Sequence, residues 1–110
     1  MTKQEYMEYL YIFDDYFYKD PLIITWANGL KIKCNSCHGV AESDTEPGDE
    51  DYIGEYYTTV RDVEVLHEGS DDSVKIYNYG EDNSIEICLL NIADKIELED
   101  GTLLWERKPE

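Results

Sequence analysis

Residues 22–34, LIITWANGLKIKC, decide the fold. The first half of this stretch is a run rich in β-branched residues, and the second half alternates apolar residues with lysines. Asn28-Gly29 stands between the two halves, and this dipeptide is a strong signal for a tight hairpin turn. The stretch therefore predicts an antiparallel hairpin over residues 22–34.

The segment before the hairpin has the pattern of a helix. Thr2-Lys3-Gln4-Glu5 is a capping box, in which Thr2 caps the helix and Glu5 follows three residues later. An apolar stripe continues from it at helical spacing through Tyr6, Leu10, Phe13 and Phe17, and Met7 and Tyr9 widen it. Pro21 ends the pattern. We therefore predict a helix over residues 3–18 whose apolar face packs on a sheet.

The chain after the hairpin divides into a loop and a series of strands. Residues 35–54 contain glycine, proline and many acids, so they predict a long acidic loop. Residues 55–106 alternate as antiparallel strands do, in one long run over 56–66 and several shorter ones. In one of the shorter runs we expect Ile85, Ile87 and Leu89 to face inward, and Glu86 and Cys88 to face outward.

One helix followed by about six strands predicts an α+β fold. In this fold the N-terminal helix packs on a strongly bent antiparallel sheet or a small barrel. The order of a helix and then strands, with an Asn-Gly turn after the first strand, resembles Sm-like and SH3-like barrels. The length of 110 residues fits a single domain over residues 1–110.

Charge is the most unusual property of the chain. Asp and Glu number 26 against 9 Lys and Arg, which gives a net charge of −17. A compact domain of this size is roughly 34 Å across, and the same length of B-DNA holds roughly 20 phosphates. The chain therefore approaches the charge density of a duplex. This charge disfavours direct binding to nucleic acid or to an anionic membrane, and it favours a basic protein surface as the partner.

Targeting signals are missing from the sequence. It has neither an apolar run long enough to span a membrane nor an apolar signal core near Met1. Three cysteines cannot all pair within one monomer, which favours a reducing compartment. We therefore expect a cytoplasmic protein.

Carboxylates and tyrosines are the candidate partner-binding groups. Residues 42–51 contain six carboxylates and no cation. Tyrosine is a favoured interface residue, and carboxylates accept paired hydrogen bonds from arginine. The residues expected to bind the partner are Glu42, Asp44, Glu46, Asp49, Glu50, Asp51, Tyr56, Tyr57, Asp62, Glu64, Asp71 and Asp72.

Residues 34–38, Cys34-Asn-Ser-Cys37-His38, have the C-x-x-C-H pattern of haem attachment. The motif leaves a strand here, whereas haem attachment needs a helix and a second axial ligand. Zinc is the other interpretation, with Cys88 or His67 as a fourth ligand, but a second C-x-x-C pair is missing. Cys34 and Cys88 also suit the role of small apolar strand residues. We expect no cofactor and no metal.

The sequence has no G-x-S-x-G, P-loop or H-E-x-x-H motif, so we do not expect an enzyme. In size, charge and tyrosine content the chain resembles the small acidic inhibitor proteins of phages, including DNA mimics and anti-CRISPR proteins. The resemblance implies binding and inhibition of a basic nuclease or other nucleic-acid-handling effector, in the cytoplasm of the host cell. The alternatives are an immunity protein against a basic toxin, a zinc-stabilised adaptor module and a small barrel within a larger assembly.

Overall fold

The computed structural model describes residues 2–36, 39–50, 54–74, 78–79 and 83–107. These ranges contain one α-helix, α1 (Lys3–Asp15), a short 3₁₀ turn, η1 (Leu89–Asn91), and eight antiparallel strands. The strands are β1 (Leu22–Thr25), β2 (Lys31–Ser36), β3 (Ala41–Glu42), β4 (Tyr56–His67), β5 (Asn78–Tyr79), β6 (Ser84–Ile87), β7 (Lys95–Leu98) and β8 (Leu103–Glu106). No helix in the described ranges has the length and apolar content needed to cross a membrane.

The strands form one strongly curled sheet in the order β5-β6-β4-β2-β1-β7-β8, and β3 pairs with β4 beside this path. The expected α+β fold with a bent antiparallel sheet is confirmed at this level. The described strands form a half-barrel, more open than the Sm-like or SH3-like barrels that the sequence resembles. Eight strands replace the expected six, because β3 and β5 have only two residues each and lack a local strand pattern.

The helix begins as predicted and ends three residues earlier. Thr2 Oγ1 accepts a hydrogen bond from the Glu5 N–H at 3.1 Å, so the capping box is confirmed. At the other end Tyr18 has a φ of +54°, and its N–H donates to the Ser36 carbonyl at 3.0 Å. This contact with β2 turns the chain out of the helix. Phe17 is consequently 42% exposed, so its expected place in the core is wrong.

The predicted hairpin is confirmed, with Leu22 opposite Cys34 and Thr25 opposite Lys31. Its turn is longer than the two-residue turn that Asn28-Gly29 suggests. The Trp26 N–H donates to the Leu30 carbonyl at 2.9 Å, which encloses a three-residue loop. Gly29 closes the loop with a φ of +88°, a backbone conformation that glycine adopts without a steric penalty.

The core lies between α1 and the inner face of the sheet. The Tyr9 ring lies 4.6 Å from the Trp105 ring of β8 and meets Phe13 edge-on at 5.6 Å, measured between ring centroids. Ser36 Oγ donates to the Phe13 carbonyl at 2.5 Å, which ties the end of the helix to β2. Each fully buried large apolar side chain contributes about 1.5–3 kcal/mol to folding. The fully enclosed members include Tyr9, Leu10, Phe13, Leu22, Ile24, Val60, Ile87 and Ile96.

The expectation of one loop over residues 35–54 is wrong, because the end of β2 and the whole of β3 lie within that range. Asn35 and Ser36 extend β2, and β3 continues the same side of β4 with Glu42 opposite Tyr56. The loop proper spans residues 43–55, and the Ser43 N–H closes it by donating to the Glu55 carbonyl at 2.8 Å. Residues 37–38 and 51–53 lie outside the described residues.

The inward and outward pattern expected around β6 is also wrong, at Glu86, Cys88 and Leu89. Leu89 is exposed, whereas Glu86 and Cys88 are buried. The chain leaves the strand at Cys88, whose N–H donates to Asn91 Oδ1 at 2.9 Å. Asn91 Nδ2 donates in turn to the Glu86 carbonyl at 2.8 Å. One buried amide therefore folds the segment into η1 and ends the strand alternation.

Candidate partner-binding surface

The acidic hairpin consists of β3, the loop 43–55 and the first two residues of β4. Within it the Asp49 N–H donates to the Glu46 carbonyl at 3.0 Å, and the Glu46 N–H donates to Asp49 Oδ2 at 2.8 Å. Pro47 and Gly48 occupy the centre of this turn, with a φ of +104° at Gly48, as in a type II turn. The tip of the hairpin is therefore held by its own backbone.

Five of the predicted partner-binding carboxylates lie together on the acidic hairpin and are exposed. None of the five takes part in an ion pair within the described ranges, so this surface is strongly anionic. Such a surface favours the approach of a cationic partner. These carboxylates belong to Glu42, Asp44, Glu46, Asp49 and Glu50, while Asp51 lies outside the described residues.

Tyr56 and Tyr57 form the base of the acidic hairpin, opposite Glu42 and Ala41. Both are half-buried. Tyr56 is also fixed by its backbone, because its carbonyl accepts a hydrogen bond from the Tyr6 hydroxyl at 2.6 Å. The helix therefore holds the base of the hairpin in place.

Asp62 and Glu64 lie further along β4, next to cations. Asp62 has a φ of +54° and sits where the register between β2 and β4 shifts, which marks a β-bulge. Its carboxylate accepts a hydrogen bond from Asn35 Nδ2 at 3.1 Å and lies 3.7 Å from Arg61 Nε. Glu64 stands opposite Lys33. The Asp62 carboxylate is thus close to compensating groups, unlike those of the acidic hairpin, whereas the Lys33 ammonium pairs with Glu99 at 3.1 Å.

Asp71 and Asp72 lie at the other end of the sheet. Asn28 Nδ2, in the β1–β2 turn, donates to the Asp71 carbonyl at 3.0 Å. Ten of the 12 residues of β4 separate this turn from the acidic hairpin, which is about 33 Å along the strand at the usual rise. Hydrogen bonds from the Ser73 hydroxyl and N–H hold the pKa of Asp71 below its usual value. The predicted residues therefore occupy three separate places, and the acidic hairpin groups the largest number of them.

A cleft runs between α1 and the acidic hairpin, which we call the helix–hairpin cleft. Its volume is about 400 Å³. The helix contributes Met7, Tyr11 and Asp14, whose spacing of four and three residues places them on one helical face. Tyr11 is 50% exposed. The remaining lining residues are Gly39, Val40, Glu42 and Tyr56.

Asp14 and Glu42 contribute carboxylates from opposite walls of this cleft. In the described ranges neither carboxylate has an ion-pair partner. Asp14 lies close against Gly39, since a Cβ built on that glycine would be 2.8 Å from Asp14 Oδ1. The absence of a side chain at Gly39 thus makes room for the Asp14 carboxylate.

A second, smaller cleft of about 240 Å³ continues from the first and shares Met7 and Tyr56 with it. Lys3 and Glu55 line this second cleft, and their Nζ and Oε2 atoms are 2.7 Å apart. The carboxylate in the smaller cleft is therefore already neutralised by the protein's own lysine, whereas those in the larger cleft are not.

Sequence reasoning missed the contribution of α1 to this surface. Met7 was assigned to the core stripe, and Tyr11 and Asp14 were not proposed as binding residues. Their common helical face was visible in the sequence, but its pairing with Val40 and Glu42 depends on β3, which has no local signal.

The described cysteines lie in the interior. Cys34 and Cys88 are both buried. His67 lies at the β1–β2 turn, where its Nδ1 is 3.0 Å from the Gly29 carbonyl oxygen. Cys37 and His38 lie outside the described residues. Within the described ranges, no three His, Cys, Asp or Glu side chains come together as metal ligands would.

Comparison with known proteins gives one match. The model of a family described as cognate immunity protein YxxD matches residues 1–109. No curated protein and no solved structure matches the chain. The match favours the immunity-protein alternative over the phage-inhibitor hypothesis, and it implies that the partner is a protein, a cognate toxin. Because the match covers almost the entire length, the chain belongs to the YxxD family of cognate immunity proteins.

Proposed function

We propose that this protein binds its cognate toxin through the acidic hairpin and neutralises it by covering a basic face of the toxin. The observation that supports this proposal is the grouping of five exposed carboxylates without ion pairs on the acidic hairpin of an immunity protein. Bringing such carboxylates together raises the energy of the free protein. Cations of the partner would relieve this repulsion on binding.

The toxin class that best fits this charge is an enzyme acting on nucleic acid. Such enzymes need surplus cations to bind the phosphate backbone. A protein with a net charge of −17 can occupy the same basic face and exclude the substrate. On this proposal the chain has no catalytic activity of its own and acts in the cytoplasm. The phage-inhibitor hypothesis relies on the same attraction to a basic surface but assumes a different partner. The family match favours a toxin as the partner.

The first experiment uses the cognate toxin. Expression of that toxin alone should stop growth, and co-expression of this protein should restore it. The two purified proteins should form a complex, with an association rate that falls about tenfold or more between about 0.05 M and 0.5 M NaCl. If no complex forms even at the lower salt concentration, the proposal is wrong.

A charge-reversal pair tests the acidic hairpin itself. Asp44→Lys with Glu50→Lys changes two exposed hairpin residues that lie outside the Glu46–Asp49 hydrogen bonds of the turn. Glu68→Lys with Asp72→Lys makes the same change in net charge at the far end of the sheet. Since that end is about 33 Å away along β4, and the Debye length is about 8 Å at physiological salt, only the hairpin variant should lose affinity.

The expected result is a dissociation constant raised by about 30-fold or more for the hairpin variant. The far-end variant should stay within about threefold of the wild type at about 0.15 M salt. Equal losses in the two variants would mean that overall charge, and not the acidic hairpin, determines binding.

A further inference from the structure

The helix–hairpin cleft differs from the rest of the anionic surface because it combines carboxylates with enclosing side chains. Met7, Val40 and Tyr56 supply apolar surface, and Asp14 and Glu42 supply negative charge from two different elements. The carboxylates at the hairpin tip, those of Glu46 and Asp49, do not line this cleft. Both cleft carboxylates are exposed, so a cation bound there would be attracted as at a surface, and its apolar stem could in addition pack on the apolar side chains of the cleft.

We propose that the helix–hairpin cleft receives a cationic side chain, an arginine, from the cognate toxin. The inference rests on the proposed function for the identity of the partner, and it adds the site and the chemistry of recognition. The volume of about 400 Å³ is sufficient for one long side chain and falls within the usual range of about 300–1,000 Å³ for ligand pockets.

The neighbouring cleft shows how this surface accommodates a cation. There the Lys3 ammonium lies 2.7 Å from a Glu55 carboxylate oxygen, beside the same Met7 and Tyr56 that border the larger cleft. The larger cleft has two carboxylates and no lysine or arginine among its lining residues. The carboxylate of the smaller cleft is thus neutralised within the chain, and the helix–hairpin cleft is complementary to a cation from outside.

Arginine fits the cleft better than lysine. A planar guanidinium can donate hydrogen bonds to two carboxylates at once and can stack on an aromatic ring, whereas an ammonium acts as a point charge. The cleft offers both partners, since Asp14 and Glu42 are accompanied by the rings of Tyr11 and Tyr56. Gly39 assists by leaving space beside the Asp14 carboxylate.

The test compares two double variants that have the same net charge. One removes the two carboxylates of the cleft, and the other removes two carboxylates of α1 outside it. The cleft variant is Asp14→Asn with Glu42→Gln, and the control is Glu8→Gln with Asp15→Asn, whose residues are exposed on α1 outside the cleft. Both use near-isosteric neutral side chains at exposed positions, so both should fold. Circular dichroism and thermal melting check this directly.

Binding to the cognate toxin is then measured by calorimetry. We expect the dissociation constant of the cleft variant to rise about 30-fold or more, and that of the control to rise by less than about threefold. Equal affinities in the two variants would overturn the cleft assignment while leaving the proposed function intact. A wild-type protein that fails to bind would instead refute the proposed function.

A second measurement identifies the toxin residue. Each surface arginine and lysine of the toxin is replaced by glutamine and tested against the wild type and against the cleft variant. One arginine should lose affinity about 30-fold with the wild type and less than about threefold with the cleft variant, as expected for a directly contacting pair. Additive losses for every toxin residue, or coupling only to a lysine, would overturn the proposal.

Gly39→Ala provides an independent variant that keeps both charges. Its added Cβ would displace the Asp14 carboxylate, which is the flexible end of an exposed side chain, so the melting temperature should change little. Toxin affinity should nevertheless fall by about fivefold or more if Asp14 must face the cleft. An unchanged affinity would show that the position of Asp14 has no part in recognition.

Discussion

Tyr9 shows at the scale of one residue how a polar group becomes part of an apolar core. Its ring is fully buried, and its hydroxyl oxygen accepts a hydrogen bond from the Ala93 N–H at 3.1 Å. Ala93 is buried too, so this N–H has no access to water. The hydroxyl therefore accepts the hydrogen bond that a water molecule would accept from this N–H at the surface.

Replacing this hydroxyl should be costly. Tyr9→Phe leaves the buried Ala93 N–H without its acceptor, so we expect a loss of about 1–3 kcal/mol in the free energy of unfolding. Tyr11→Phe, which changes an exposed tyrosine of the same helix, should cost less than about 0.5 kcal/mol. Urea denaturation of the three proteins measures the difference, and equal stabilities would contradict this role for the Tyr9 hydroxyl.

Burial also raises the pKa of Tyr9 above the ordinary tyrosine value of 10.0, and the Ala93 N–H offsets only part of that effect. In the unfolded chain the phenol ionises near pH 10, whereas in the folded protein it stays protonated. Its contribution to stability is therefore complete below pH 10 and is lost as the pH rises further. The wild type should lose up to about 1.4 kcal/mol per pH unit more than Tyr9→Phe in that range.

At the scale of single elements, local signals fixed the beginning of α1 but not its end. The capping box is contained in four consecutive residues, and the structure confirms it. The end depends on the Tyr18 N–H reaching Ser36, a contact between the helix and a strand that no local pattern contains. The same reasoning applies to β3, which exists only because Ala41 and Glu42 meet the start of β4.

The cap makes a measurable contribution to α1. Thr2→Ala removes the side chain that accepts the Glu5 N–H, and the expected loss is about 0.5–2 kcal/mol of unfolding free energy. Gln4→Ala, an exposed change in the same turn, should stay within about 0.5 kcal/mol of the wild type. Thermal unfolding followed by circular dichroism separates the two, and a stable Thr2→Ala variant would show that tertiary packing alone sets the start of the helix.

The candidate site, too, could be predicted from the sequence only in part. The acidic run over residues 42–51 is evident in the sequence, and its five described carboxylates do lie together. Asp71 and Asp72 were grouped with them by composition, but β4 places them at the opposite end of the sheet. The cleft was beyond sequence reasoning, because Asp14 and Glu42 are 28 positions apart and come together only through sheet topology.

At the scale of the whole molecule, the net charge of −17 acts on folding and on binding in opposite directions. Self-repulsion among 26 acidic residues destabilises the compact state, and salt screens it. The same screening weakens attraction to a basic partner.

Raising NaCl from about 0.02 M to 0.5 M should therefore increase the melting temperature of the free protein by a few degrees, about 1 kcal/mol in stability. Over the same range the affinity for the toxin should fall. Differential scanning calorimetry and titration calorimetry measure the two trends on one sample. A melting temperature that falls with salt would show that favourable ion pairs outweigh the repulsion.

The bulge at Asp62 has a consequence for the solubility of the free protein. If the proposed function is right, each toxin molecule needs at least one copy of this protein, so the free protein should stay soluble. The outer half of β4 exposes Val65 to 54%, and in the described residues the ladder with β6 ends at Val60. A straight strand edge with unpaired backbone groups can pair with a second chain and lead to fibrils. The bulge at Asp62 and the net charge of −17 on every copy both oppose such stacking.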